Sequence, residues 1–479
     1  MMKKRTKILA TIGPASNSPT MIEGLIKAGT NLFRLNFSHG SHEAHLETLK
    51  TIRSISKKLH ITVGVLQDIS GPKVRIGEIE RPFELKKGDR LLFVAKEIVG
   101  HQTSPNRYTV SINYPKILER IKVGEYIYLY DGTIRAKVIS VGLQVEVEVE
   151  NHGILSSKKG VNFPNTEIGI DVLTEKDRAD IAWGITHKVD LFAISFVQNA
   201  NDINRVRILL DGYEGKIIAK IEKFDAIEHI DAILKASDGL MVARGDLGIE
   251  VPYYEVPTLQ KMLIRKANES AKPIITATQM LLSMTKSQNA TRAEVSDVAN
   301  AVLDGTDIVM LSEESAIGDD PIHVVKTMHS IIQQTEKIYP FRRKEIWKAY
   351  DKNDIIERSV VNIADKLGAT GILSLTSSGW STVKISRFRP RSKVYAFAHK
   401  RRLLNQLSAL WGVMPITKIP VLPPSKMIQA MLVELDKAGK LDKQGLYITT
   451  IGYPAGVPGS TNTIKILNAS EIAHYLKLK

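Results

Sequence analysis

Short apolar runs of β type alternate along the chain with stretches whose apolar residues recur at helical spacing. Eight runs predict strands, over residues 6–12, 31–36, 61–68, 190–196, 216–222, 239–243, 273–278 and 307–311. Amphipathic segments separate most of them, including 200–211, 226–236, 256–271, 291–303 and 321–337. Alternating βα units place helices outside a parallel sheet, and eight units close a (β/α)8 barrel. The expected fold class is therefore α/β. From about residue 72 to 165 the helical period nearly vanishes. Alternating segments at 126–130, 134–140 and 145–150 replace it, punctuated by Lys87-Gly88-Asp89 and the hairpin signal Asp131-Gly132. This predicts an all-β domain inserted after strand three. Barrel active sites sit at the strand C-termini, so the insertion would lie over the site as a lid. After a polar, basic stretch at 341–354, strands at 371–375, 393–398, 413–419, 445–451 and 463–467 predict a third, mostly parallel α/β domain. The expected division is a barrel over 1–71 and 168–342, a β-barrel lid over 72–167, and a C-terminal domain over 343–479.

Composition narrows the class. With 479 residues, 43% apolar and 24% charged, the chain is too long for one core and too apolar for a disordered or collagen-like protein. No run approaches the roughly 18 apolar residues that span a bilayer. The basic start through Arg5 and Lys7 resembles a signal peptide, but Gly13-Pro14 break its short apolar part. The absence of cysteine excludes disulfides, thiolate nucleophiles and cysteine-ligated zinc, and fits a cytoplasmic location. The net charge of +15 suits nucleic acid, anionic lipid or phosphorylated metabolites, and total charge does not choose among them. Aromatics at 6% argue against a base-stacking binder. The runs Phe341-Arg342-Arg343-Lys344 and His399-Lys400-Arg401-Arg402 read as a linker and a solvated helix face, since no nucleic-acid motif accompanies them. No nucleic-acid or membrane partner is expected.

Candidate chemistry collects at strand ends. In Lys216-Ile217-Ile218-Ala219-Lys220-Ile221-Glu222, alternation puts Lys220 and Glu222 on one face. Taken alone, the plainer reading is a local ion pair. Met241-Val242-Ala243-Arg244-Gly245-Asp246-Leu247-Gly248 ends a strand in a charged, glycine-flanked turn, where Asp246 reads equally as a helix cap or a hard-cation ligand beside Glu222. Arg34, Asn36 and Ser38 alternate on strand two. Asp68 ends strand three, followed by Lys73 and Arg75, and Thr276 and Thr278 end strand seven. A threonine there is more often structural, and Lys158-Lys159 more often solvated. Jointly, cations (Arg34, Arg75, Lys220) and acids (Asp68, Glu222, Asp246) at several strand ends have the layout of phosphoryl transfer. No phosphate loop, kinase catalytic loop or dinucleotide fingerprint is present.

The segments Arg34-Leu35-Asn36-Phe37-Ser38-His39-Gly40, Lys220-Ile221-Glu222, Ala243-Arg244-Gly245-Asp246-Leu247-Gly248, Ala277-Thr278-Gln279-Met280-Leu281 and Thr291-Arg292-Ala293-Glu294-Val295-Ser296-Asp297 resemble the signatures of the pyruvate kinase family, in family order. The resemblance covers essentially the whole chain. It implies a phosphotransferase that converts phosphoenolpyruvate and ADP to pyruvate and ATP in glycolysis. By the resemblance, Glu222 and Asp246 hold Mg²⁺ or Mn²⁺, and Lys220 stabilises the phosphoryl group in flight. Arg34 grips the phosphate, while Gly245, Asp246 and Thr278 take the substrate carboxylate, with Thr278 or a water protonating the enolate. Asn36, Phe37, Ser38, His39, Arg75 and Lys159 face the nucleotide. The remaining alternative is another Mg²⁺-dependent barrel enzyme acting on phosphoenolpyruvate or a 2-oxo acid.

Departures matter too. Potassium-dependent members of that family hold K⁺ at the positions of Asn36, Ser38, Asp68 and the Ile69 carbonyl, and carry glutamate where this chain has Lys73. The Lys73 ammonium could stand in for K⁺, so K⁺ is expected not to be required. Thr376-Ser377-Ser378-Gly379-Trp380-Ser381 resembles the effector loop of the family, a phosphate cradle between strand and helix. The later loop from Gly452 to Gly459 lacks the basic and tryptophan residues that hold a second phosphate, which favours a monophosphate effector or none. The family is usually tetrameric.

Overall fold

The structure, a computed structural model, describes residues 4–164, 166, 169, 171–341, 351–452 and 461–477. Eight parallel strands close a barrel: Lys7–Thr11, Leu32–Asn36, Gly64–Ile69, Leu191–Ile194, Lys216–Ile221, Gly239–Ala243, Ile274–Ala277 and Ile308–Leu311. These are the eight predicted strands, each paired with its sequence neighbour and the last with the first. Strand three begins at Gly64 rather than at 61, and the helix expected over 226–236 is broken at His229 into Phe224–Glu228 and Ile230–Ala236. Leu9, Leu32, Leu66, Leu191, Ile218, Met241, Ile275 and Ile308 fill the barrel from inside, and Ala409 of the C-terminal region joins that cluster. Branched apolar side chains on the outer strand faces meet the helices, which explains why these strands read as near-continuous apolar runs.

Between barrel strands three and four the chain builds an antiparallel-rich β unit. Its seven-stranded sheet runs in the order Val161–Asn162, Tyr126–Leu129, Ile134–Val141, Gln144–Val149, Arg90–Val94, Arg107–Ser111 and His101–Ser104. The Asp131-Gly132 signal falls in the turn between Tyr126–Leu129 and Ile134–Val141, where Tyr130, Asp131 and Gly132 all take positive φ. Its own apolar cluster includes Leu91, Phe93, Ile127, Val147 and Phe163. Gly71 turns the chain out of barrel strand three with φ +66°, and a Cβ there would meet the Phe196 ring at 2.9 Å. Only glycine satisfies both conditions.

The C-terminal sheet has the order Val413–Lys418, Lys393–Ala398, Gly371–Thr376, Tyr447–Gly452 and Thr461–Leu467, parallel except for its last pair. It is tied to the barrel floor by the fully buried Arg389, whose guanidinium donates to Asp307 Oδ1 (2.7 Å), Asn268 Oδ1 and the Gly305 carbonyl (2.8 Å). In the basic run near 400, Lys400 and Arg401 are exposed, as expected of a solvated face, while Arg402 is half-buried. Lys400 and Arg402 both pair with Glu214 of the barrel, at 2.8 and 2.6 Å.

Candidate active site at the mouth of the barrel

The charged residues expected at the strand ends meet in one network. Arg34, on strand two, donates from Nε to Asp68 Oδ2 (2.6 Å) and from Nη1 to Thr11 Oγ1 (3.1 Å). Lys220 Nζ lies 3.2 Å from Asp68 Oδ1, 2.9 Å from Glu222 Oε1 and 2.7 Å from Ser195 Oγ. Ser195 in turn donates to the Ile69 carbonyl (2.7 Å), and the Phe196 N–H donates to Glu222 Oε2 (2.7 Å). Strand alternation sets the layout: Lys220 and Glu222 share the inward face while Ile221 is buried outward among the helices.

Burial sets the electrostatics. Asp68 and Glu222 are 2% and 1% exposed, so each charge must be answered locally. Burial pushes the Asp68 carboxyl up, but Arg34 and Lys220 overcome it and hold it below the usual range. Burial would discharge Lys220, yet Asp68 and Glu222 outweigh that and hold its ammonium well above its ordinary value. Glu222 is raised by burial and by the like charge of Asp246, with Lys220 opposing. Asp246 stands in the first turn of the short helix Arg244–Glu250, half-buried, with no hydrogen bond or ion pair among the described residues. Two carboxylates thus lie close to each other, and among the described residues only Glu222 is directly ion-paired with Lys220.

This donor set fits a hard divalent cation. Among the described residues no group of three or more histidines, cysteines and acids is placed to hold a metal. A two-carboxylate seat completed by water and substrate oxygens is the usual arrangement for Mg²⁺, which keeps much of its hydration.

Thr278 sits across from this network. Its hydroxyl accepts from the Gly245 N–H (2.9 Å) and lies 2.7 Å from the Ala277 carbonyl, to which it donates. Thr278 and Gln279 take φ of +63° and +54°. A left-handed conformation is costly for a β-branched residue, so the surroundings must enforce it. Arg244 does so. It donates from Nη2 to the Thr278 carbonyl (2.6 Å) and from Nε to the Ala277 carbonyl (3.1 Å) while Nη1 holds Asp297 (2.7 Å). Sequence reasoning quoted Arg244 and Asp297 only as parts of motifs and passed over Ser195. The signal for Ser195 was its place at the end of strand four, next to the Lys220 strand.

A cleft of ≈ 230 Å³ lies between the inserted β unit and this mouth, lined by Lys73, Arg75, Asp131, Lys159, Lys223, Asp246 and other residues. Arg75 is held by the Lys158 carbonyl (2.8 Å), and Lys159 Nζ lies 3.9 Å over the Tyr130 ring. Arg75 therefore shares a wall with Asp246 rather than joining the Arg34–Lys220 network. Lys73 is exposed on the same wall, and among the described residues no hydrogen bond or ion pair joins it to Asn36, Ser38 or Asp68. Asn36 Oδ1 accepts from the Ser38 N–H (3.2 Å), and Ser38 and His39 are exposed. The Phe37 ring is buried against His45, His42 and Trp183, so only its backbone is free to face a ligand, and its carbonyl already accepts from Lys176.

In the C-terminal sheet, Thr376 Oγ1 accepts from the Gly379 N–H (2.9 Å), and Gly379, at φ +93°, starts the helix Trp380–Arg387. Ser377 and Ser378 stand in the turn between them, Trp380 is exposed, and Ser381 Oγ lies 2.9 Å from Thr461 Oγ1. Residues 453–460 of the second loop lie outside the described residues. No described helix is long and apolar enough to cross a membrane.

Two family models match the chain. The one described as "Pyruvate kinase, barrel domain" covers residues 3–325, and "Pyruvate kinase, alpha/beta domain" covers 354–467. A pyruvate kinase of Geobacillus stearothermophilus is 41% identical over 98% of this chain and 81% of its own length. One from Staphylococcus aureus is 40% identical over 98% of this chain and 82% of its own length. The solved structure of a pyruvate kinase from Cryptosporidium parvum superposes with a TM-score of 0.91 at 32% identity, over 97% of this chain and 96% of that one. With the barrel, the C-terminal sheet and the clustered strand-end charges all in place, the chain belongs to the pyruvate kinase family.

Proposed function

We propose that this chain transfers the phosphoryl group of phosphoenolpyruvate to ADP, with Mg²⁺ or Mn²⁺ and without a requirement for K⁺. The observation that carries this reading is the convergence of Arg34, Lys220, Asp68 and Glu222 at one barrel mouth beside Asp246, which has no ion pair among the described residues. When bound by Glu222 and Asp246, the divalent ion supplies positive charge to the enolate and phosphoryl oxygens.

Each residue has a task. Arg34 and Lys220 are fixed cations whose partners, Asp68 and Glu222, orient them before substrate arrives. The bridging P–O bond of phosphoenolpyruvate breaks with its electron pair left on the enolate oxygen, as a β-phosphate oxygen of ADP bonds to phosphorus. Lys220 keeps its proton throughout and donates to oxygens of the migrating group, where charge is spread in the transition state. The Gly245 and Asp246 N–H groups and the Thr278 hydroxyl orient the substrate carboxylate. The enolate carbon then takes a proton from Thr278 or an adjacent water, giving pyruvate. Arg75 and Lys159, from lid-side segments of the cleft, bind the nucleotide phosphates.

Independence from K⁺ draws support from Asp68, both of whose oxygens are already neutralised by Arg34 and Lys220, and from the exposed Lys73, which adds positive charge to the cleft wall. A coupled assay of pyruvate and ATP formation tests all of this. Turnover is expected with Mg²⁺ and with Mn²⁺, to vanish with chelator, and to differ little between K⁺ and tetramethylammonium. Strong K⁺ activation would overturn the monovalent part, and absence of ATP formation would overturn the whole.

A cytoplasmic location, a tetrameric assembly and a monophosphate effector at Thr376–Ser381 are further parts of this reading. Exposed Trp380 reports on that loop: quenching of its fluorescence by a sugar monophosphate, and not by chloride, is the expected result.

A further inference from the structure

The two carboxylates of the metal seat are held in different ways. Glu222 follows directly on barrel strand five, and both its oxygens are engaged, Oε1 by Lys220 and Oε2 by the Phe196 N–H. Asp246 has no such hold on its side chain, so its place is set by the helix that carries it. That helix, Arg244–Glu250, has seven residues. So short a helix does not sustain itself in water, and what anchors its two ends decides how it lies. Arg244 anchors the first end through the Ala277 and Thr278 carbonyls. Glu250, the last residue, is anchored by Lys223, whose Nζ lies 3.2 Å from Glu250 Oε2. Glu250 Oε1 accepts from Asn162 Nδ2 of the inserted β unit (3.2 Å).

The Lys223–Glu250 pair is dry. The two residues are 3% and 6% exposed, and Nζ and Oε2 are sealed from solvent with no hydrogen bond among the described residues. Replacing such a pair by apolar side chains of the same bulk often costs a fold nothing, so stability alone does not account for it. Its position does. Lys223 is the residue after Glu222, and Glu250 comes four residues after Asp246, on the same face of the helix. The pair therefore joins the backbone that carries one carboxylate to the helix that carries the other, in the wall of the cleft that Asp246 also lines. The like charges of Glu222 and Asp246 repel each other. Without a tie, that repulsion turns the helix away from strand five; the attraction between Lys223 and Glu250 opposes it.

We propose that Lys223 and Glu250 are positioning residues for the divalent cation, their ion pair fixing the rotation of the Arg244–Glu250 helix and with it the separation of the Glu222 and Asp246 carboxylates. The proposal rests on the reading of those two carboxylates as the metal seat. Neither Lys223 nor Glu250 touches the ion. They keep the seat open at binding distance before the ion arrives, so that binding does not have to draw the helix in.

The test reads metal binding rather than turnover. Free Mn²⁺ is followed by electron paramagnetic resonance as it is titrated with the full chain, in the absence of phosphoenolpyruvate and nucleotide. Asp246→Asn, which locates the seat, is expected to lose the tight site. Lys223→Met and Glu250→Gln are each expected to raise the Mn²⁺ dissociation constant by about 10-fold. Each also leaves a buried charge without its partner, so their unfolding midpoints should fall. The double variant Lys223→Met, Glu250→Met removes both charges, and its midpoint should return to within about 2 °C of the parent. Its Mn²⁺ affinity should nevertheless stay weakened by about fivefold or more, because apolar side chains do not pull the helix toward strand five. Affinity that recovers together with stability in the double variant, or that never changes in the single variants, would overturn the positioning role and leave the seat standing. Mn²⁺ binding that survives Asp246→Asn unchanged would remove the seat itself, and the proposal with it.

Discussion

Lys220 is the residue on which most charges in the barrel mouth converge. Replacing it by methionine removes the cation but leaves Asp68 and Glu222 buried, at 2% and 1% exposure. Turnover is expected to fall by about 100–1000-fold, the cost of losing one preorganised donor to a transition-state oxygen. ADP binding, measured by calorimetry, should change little, since Arg75 and Lys159 lie on the lid side. The unfolding midpoint should also drop, because a buried carboxylate loses its partner. A second residue titrates far from the chemistry. Burial raises the Glu357 carboxyl to about 8, against the lowering effects of Ser381 and Lys384 beside it. In the unfolded chain such a group ionises near pH 4.3, so between about pH 4.3 and 8 the folded state holds a proton that the unfolded state has lost. Stability from this site is therefore full at low pH and declines as pH rises through that window. Glu357→Gln should flatten the decline, making the variant relatively more stable at pH 8.5 than at pH 5.5 in paired melting curves.

At the scale of elements, the clamp on strand seven is the most exacting. Arg244 reaches from the helix after strand six to two backbone carbonyls of the Ala277–Thr278 turn, and Asp297 holds its other side. Lysine cannot reproduce that fork. Arg244→Lys is expected to lower kcat by about 10–100-fold through misplacement of Thr278, with Asp297→Asn shifting kcat in the same direction by less. Steady-state kinetics with both variants check this, and unchanged kcat in Arg244→Lys would remove the clamp from the account. These elements differ in how far the sequence reveals them. Strands 239–243 and 393–398 were readable to the residue, because apolar β-type runs end there at turn residues. The Lys220–Glu222 face followed from alternation alone. The Arg244 clamp did not, because the two carbonyls and Asp297 that it holds lie 33 to 53 residues away. The split at His229 was hidden for a different reason: amphipathic spacing continues through 226–236 although the backbone breaks. Phe37 shows the same limit at a motif, whose pattern does not tell a ligand-facing ring from one packed on Trp183.

For the whole molecule, the barrel floor is where the two α/β units meet. Arg389, 1% exposed, answers Asp307 at the entry to strand eight, and Trp411 packs near it at 5.1 Å from its guanidinium carbon. Arg389→Met keeps bulk but leaves Asp307 without its main cation, at an expected cost of about 3–5 kcal/mol. Calorimetric unfolding should show a lower midpoint and, if the tie is the main link, a transition that separates into two. One sharp transition with an unchanged midpoint would contradict that role. The floor has a further consequence through Ala409, which completes the same apolar cluster as Leu9, Leu32 and Leu66. A fragment cut after the last barrel helix would be a vessel without its stopper: solvent would enter from below, between the leucine rows. Such a truncation should therefore be sensitive to protease and bind hydrophobic dyes, even though every strand and helix of the barrel is still encoded in it.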